Sequence, residues 1–327
     1  MAESIFYTPD VAGHHAMRVL PSLIAGMLER FGLPLELAFR LLSVTGYMAF
    51  GMITFWFLRR VNLKPILALS FTLLCLAAHP IIIMPLKLVY QSCDMWTYPL
   101  IVFMVYCSML QRTKTLLLLS LVGILVRQNL FILGECSLLY CYVQSKQTRQ
   151  LLYAGTLAVC YGMLQSYYHA TSTFSALLQP PEGYFTPSHL WFVLTDSKIL
   201  ELFIPLLPLL VLLAKPMIQA LWRYWHMTLY IAITAGQPLL AYHMTGNNLT
   251  RLSLQGIICL YLIAGWVSAK YQWTQKQEWL LLAYAGAMYI TWGIPNRFMM
   301  MVAFAVILAV MMFKERRSLS LHVLENH

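Results

Sequence analysis

The residues that could do chemistry in this chain interrupt its apolar runs. Residues 87–135 read KLVYQSCDMWTYPLIVFMVYCSMLQRTKTLLLLSLVGILVRQNLFILGE. Asp94 stands just before one apolar run, and Arg127, Gln128 and Asn129 interrupt another. A guanidinium flanked by two amides offers several donors to an anion such as a phosphate. A carboxylate such as Asp94 can take a proton from a hydroxyl as general base. A charge deep in membrane-spanning sequence costs roughly 2.5–3.5 kcal/mol by the lower estimates, so such residues are expected to face a watery cavity and to have work there. Arg127 is therefore expected to open onto a cavity, not onto lipid.

The surrounding sequence makes a membrane the natural solvent. Of 327 residues 60% are hydrophobic and 10% charged, with mean hydropathy +0.68. Soluble domains carry about 25% charged residues, and a soluble core could not hide this much apolar surface. The expected fold class is all-α, a polytopic transmembrane bundle forming one integral membrane domain over 1–327, with no soluble domain. The net charge of +10 lies mostly in short loops, which points to membrane topology and away from nucleic acid. The seven cysteines sit mostly in apolar runs without CxxC spacing and read as small packing residues. The first 18 residues have no apolar h-region, so no cleavable signal peptide is expected.

About eleven hydrophobic helices are expected, near 38–58, 65–86, 97–111, 115–126, 129–143, 150–167, 199–215, 224–244, 252–269, 279–293 and 297–313. Residues 19–33 precede them as an interfacial amphipathic helix, with Leu20, Leu23, Ile24, Met27, Leu28 and Phe31 on one face. The runs 115–126 and 129–143 are each shorter than the ~20 residues of a full crossing; they are expected as two short helices meeting at Arg127. Counted so, every loop on one side is basic: Arg59, Arg60 and Lys64; Arg112 and Lys114; Lys146 and Arg149; Lys215 and Arg223; Lys270 and Lys276; Lys314, Arg316 and Arg317. That side is cytoplasmic by the positive-inside rule. Residues 1–37 and the long loop 168–198 are then external, the C-terminus is cytoplasmic, and a bacterial inner membrane is the expected location.

The external side gathers Asp10, His14, His15, Arg18, Asp94, Arg127, Gln128, Asn129, His169, His189, Asp196, His243, Asn247, Asn248, Arg251, Asn296 and Arg297. Topology does not require this bias, and it suits an outward-opening site for an anionic group. Plainer roles stand beside it. Asp10 suits an N-cap, Asp94 suits a cap for a helix starting near Trp96, and His14 and Arg18, four apart, share a helical face that would meet lipid headgroups. No His/Asp/Glu spacing makes a metal site. GxGxxG, P-loop and GxSxG motifs are absent.

The N-terminal FYTPDVAGHHAMRVLPSLIAGMLERFGL resembles the first external loop of polytopic GT-C type glycosyltransferases. There an acid is followed by an H/Y-x-x-R-x-L-x-P-like tract, matched here by His15-Ala16-Met17-Arg18-Val19-Leu20-Pro21. The stretch from Asp94 to Arg127-Gln128-Asn129 resembles a later block in which an acid precedes one span and a short paired helix carries an Arg; Gln128 stands where an acid is often found. TGNNLTRLSL resembles a late external loop with Arg251 before a span. The resemblance implies an inverting transfer of sugar, outside the membrane, from a polyprenyl-phosphate donor to a glycan or lipid acceptor hydroxyl. Asp10, or secondarily Asp94, would be the general base. Arg18, Arg127 and Arg251 would bind the departing phosphate, with His14, His15, Gln128 and Asn129 beside them. Some members use a divalent cation; this sequence does not indicate one, and no cofactor is assigned. A multi-pass transporter or lipid flippase, and a non-catalytic assembly subunit, are the competing readings.

Overall fold

Apolar runs fold into helices, and short turns reverse the chain between them. The computed structural model describes residues 19–78, 81, 92–171, 197–240, 249–291 and 297–325, with the side chains of 92–94, 168–171, 197–199, 237–240, 249–252 and 313–325 outside that description. Asp10, His14, His15 and Arg18 lie outside the described residues. The chain is all-α, with no strand among the described residues. In order come α1 (Val19–Arg30), α2 (Leu35–Arg60), α3 (Pro65–Leu76), α4 (Ser92–Met109), α5 (Thr113–Val126), α6 (Leu130–Ser145) and α7 (Arg149–Thr171). Then follow α8 (Ser197–Phe203), a 3-10 turn (Ile204–Leu206), α9 (Leu207–Leu212), α10 (Ala214–Arg223), α11 (Trp225–Leu240), α12 (Leu249–Ser268), α13 (Gln275–Ile290) and α14 (Arg297–Glu325).

The turns after α2, α4 and α6 each contain a left-handed residue: Asn62 at φ 65°, Gln111 at φ 57° and Lys146 at φ 56°. Such a residue ends a helix by turning the chain out of it. These turns lie at one end of the bundle. Helices α2 and α4 run parallel, since Phe50 meets Tyr98 and Phe57 meets Tyr106. The α6 terminus joins them where the Cys141 thiol reaches the Ser108 carbonyl. Helix α13 starts at that end too, where Lys64 pairs with Glu278 beside the capping box of Thr274 and Gln277. Arg59, Arg60, Lys64, Arg112, Lys114, Lys146, Arg149, Lys270 and Lys276 all cluster there; we call it the basic end.

Small residues let the helices touch. A Cβ added at Gly134 would stand 2.5 Å from the Ser120 hydroxyl and 2.9 Å from Leu157, which locks α6 against α5 and α7. One added at Gly256 would run into Thr234 and stand 2.9 Å from the Ile231 backbone, which fixes α12 against α11. Buried hydroxyls at these contacts bond back to their own helix, as Ser120 does to Leu116 O (2.8 Å) and Thr234 to Tyr230 O (2.7 Å). Contacts of this small-residue kind pack helices by close backbone approach.

Helix α1 turns Ala25 and Gly26 inward, against Ala38 and Leu42, and leaves Ile24, Met27 and Phe31 exposed; the large apolar face points away from the bundle. Residues 216–223, expected as a connection between spans, lie in α10. It makes an angle of 107° with the apolar segment before it. Among the described residues α2 alone is long and apolar enough to cross a membrane by itself, and the bent pair is a second candidate only if counted as one span. An unbroken exposed stripe runs along α2 through Leu37, Leu41, Val44, Met48, Met52 and Phe55. Its length is about 27 Å at 1.5 Å per residue.

Candidate functional site

Arg127 sits where α5 stops. Its φ of −157° and ψ of 125° take the chain out of the helix, and its N–H makes the last bond of α5, to Gly123 O at 2.7 Å. Without a side chain, Gly123 lets Leu130 close over the break. Carbonyls of Arg127, Gln128 and Asn129 then accept from Leu130, Phe131 and Ile132 at 3.0, 3.0 and 3.2 Å, and α6 begins. So the two helices expected on either side of Arg127 are present. Asn129 occupies the N-cap of α6 and makes no side-chain cap bond. Its amide instead donates across to Gln255 Oε1 on α12, a long contact of 3.5 Å.

Arg127 is 1% exposed, the largest fully buried side chain among the described residues. It is enclosed and does not open onto a cavity; α11 packs on α6 beside the break. Tyr230, wholly buried on α11, lies within electrostatic reach of it, beside Cys136 and Cys259. The Tyr230 hydroxyl, the Gln255 amide nitrogen and the Gln128 amide oxygen are each buried without a hydrogen-bond partner among the described residues. Such atoms are costly in a folded interior. They form a ready set of partners for a polar group brought into the break.

Other expected residues are placed by backbone alone. Asp94 is the third residue of α4, so the helix starts before Trp96 and the capping role expected there fails. Three residues separate α4 from α5, which packs on it; Asp94 and Arg127 therefore close the same end of that hairpin. Arg251 lies in the first turn of α12, four residues before Gln255 and at the same register on the helix. Gln255 is six residues into α12, which sets it about 9 Å below the helix start. The start of α1 comes to this end as well. Helix α1 packs on α5 and α4, and Val19 borders the same apolar cluster as Tyr161 and Leu164 of α7; Tyr161 stacks on Phe131, two residues after Asn129, with ring centroids 4.1 Å apart. Asp10, His14, His15 and Arg18 fall outside the described residues.

A second buried arginine was grouped with the outward polar residues but not among the site candidates. Arg297, 8% exposed, opens α14. It donates to Ala77 O just past α3 (2.7 Å) and lies 3.9 Å from Glu201 of α8. Around it, the hydroxyls of Tyr261 and Tyr284 serve carbonyls of the broken α8–α9 segment, at Leu202 O and Ile204 O, each at 3.2 Å. Pro208 lacks the N–H that Ile204 O would meet in a continuous helix, which gives Tyr284 its role. This cluster ties α14, α12 and α13 to α8 and the turn after it, and to the end of α3. Tyr230, Gln255 and Glu201 were missed in the sequence because each is a single polar residue in an apolar run. Among the described residues no three His, Cys, Asp or Glu side chains gather to hold a metal. No family model, curated protein or solved structure matches this chain.

Proposed function

We propose that the chain is a multi-pass membrane glycosyltransferase of GT-C type. It would take a sugar from a polyprenyl-phosphate donor and pass it to an acceptor hydroxyl on the side opposite the basic end. The membrane part rests on the exposed apolar surface. The stripe on α2 is close to the ~30 Å hydrocarbon thickness of a bilayer. Leu152, Val159 and Met163 of α7 and Met299, Val306 and Val310 of α14 are exposed as well. Water would not tolerate such continuous apolar faces, and lipid requires them. Clustered Lys and Arg then make the basic end cytoplasmic. Shorter helices such as α5 and α6 reach only part of the way, which suits a pair that stops at a recessed site.

The observation that carries the enzymatic reading is the break itself. A buried arginine, a buried tyrosine and three amide side chains converge there, and the start of α1 arrives from the far end of the sequence. Arg127, with Arg251 and Arg18, would hold the departing phosphate, and its charge would stabilise the negative charge that grows as the glycosidic bond breaks. Asp10 or Asp94 would accept the proton of the attacking hydroxyl. The closed break implies that donor binding parts α11 from it.

Purified protein given a panel of polyprenyl-phosphate sugars tests this. Release of polyprenyl phosphate that depends on an acceptor, and is lost in Asp10→Asn or Asp94→Asn, is the expected result. A donor that crosses between leaflets uncleaved would make the protein a flippase, and the enzymatic reading would fall.

A further inference from the structure

The exposed surface of α10 divides into two ridges of different chemistry. Met217 and Ala220 are buried against the bundle, as is Tyr224 just past the helix end. Ala214, Ile218 and Trp222 follow one another at four-residue spacing, with Ile218 56% and Trp222 79% exposed. Lys215, Gln219 and Arg223 repeat the same spacing on the neighbouring ridge. A helix lying flat in a membrane surface needs these three faces: one on the protein, one in the acyl boundary and one among the headgroups. The 107° angle to the preceding apolar segment sets α10 across the bundle and not along it.

A cation pair stands at the end of the polar ridge. The Arg223 guanidinium lies 5.9 Å from the Trp266 ring and 5.8 Å from Tyr224, and the Lys270 ammonium lies 4.0 Å from the same Trp266 ring. Neither cation forms an ion pair with an acid among the described residues. Aromatic faces hold both charges in place, and two cations held at one ring with no acid beside them among the described residues favour an anion near that ring.

We propose that α10 is an in-plane anchor whose Arg223–Lys270 pair binds the phosphate of an anionic phospholipid, with Ile218 and Trp222 set in the adjoining acyl boundary. The position at the basic end supplies charge complementarity to an anionic leaflet. The apolar ridge supplies the depth, about 5–10 Å below the headgroups for helices of this kind. This inference needs the bilayer but not glycosyl transfer.

Nanodiscs of phosphatidylcholine, with or without phosphatidylglycerol, test it through the thermal unfolding midpoint of the full chain. Phosphatidylglycerol is expected to raise the midpoint of the native chain, and R223Q/K270Q is expected to lose that shift. The equally charge-reduced K146Q/R149Q should keep it. Loss of the shift in both double variants would assign it to net charge and overturn the site, as would its survival in R223Q/K270Q. Inorganic phosphate added to phosphatidylcholine discs should leave the midpoint alone; a matching rise would overturn the lipid as ligand. Brominated acyl chains should quench the native chain more than Trp222→Phe. Equal quenching would overturn the in-plane placement, and no quenching of any tryptophan would overturn the bilayer reading itself.

Discussion

Arg127 and Arg297 are both buried arginines with opposite expected responses to mutation. Arg297 serves a helix end: its Nη2 donates to the buried Ala77 carbonyl. Arg297→Gln leaves that acceptor unmet, and a loss of about 1–3 kcal/mol is expected in denaturant or thermal unfolding in detergent. Arg127 stands at a helix break among polar atoms that have no partner of their own. Arg127→Lys keeps the charge and removes the bidentate fork. Its expected signature is a loss of about a hundredfold or more in turnover, by analogy with removing one preorganised donor from a reacting anion, with the unfolding midpoint close to native. A midpoint that falls as far as in Arg297→Gln would make Arg127 structural. The carboxylates separate the same way. Asp10→Asn should abolish transfer and leave the fold, whereas a helix cap alone predicts only about 1 kcal/mol of lost stability.

Elements were legible where one residue contradicted its run. Arg127 in the middle of LLLLSLVGILVRQNLFILGE marked the junction of α5 and α6 because no straight apolar helix accommodates it cheaply. Helix α10 was not legible, since Lys215, Pro216 and Arg223 read as a basic turn. Pro216 falls in the first turn of α10, where its missing N–H costs nothing, and the amphipathic spacing shows only once the helix axis is known. Residues Tyr230 and Gln255 were hidden for a different reason. A lone polar residue in an apolar helix looks like ordinary packing until its partners arrive from other helices. Close helix contacts carry their own prediction. Gly256→Ala drives a methyl into Thr234 and the Ile231 backbone, and backbone cannot yield as a side-chain tip can. A loss of about 1–3 kcal/mol is expected from such overpacking, read as a lower unfolding midpoint. Because Gln255 is the preceding residue, activity should fall with it. A native midpoint in Gly256→Ala would show that α11 and α12 have slack.

Across the whole molecule, the distribution of charge decides which way the chain sits. The turns at 61–64, 110–112, 146–148 and 269–274 come together at one end, and their Lys and Arg come with them. Arg127, Arg297 and the break between α5 and α6 lie at the other. If the basic end is cytoplasmic, residues 1–37 and 168–198 face outward and Lys314–His327 faces the cytoplasm. Single cysteines at Ser4, Ser188 and Ser320, probed with a membrane-impermeant thiol reagent on intact cells, read this directly. Among the described cysteines, Cys75, Cys107, Cys136, Cys141 and Cys259 are buried and Cys160 is partly exposed; Cys93→Ser in the background removes the seventh. Ser4→Cys and Ser188→Cys should label on intact cells, and Ser320→Cys only after the membrane is opened. The pattern depends on counting α5 and α6 as two passes. One pass there would reverse every loop after Asn129 and place Ser4 and Ser320 on the same side. Labelling of both from outside would therefore remove Arg127 from the turn between two helices and leave it inside a single crossing, where an outward-facing phosphate site could not use it.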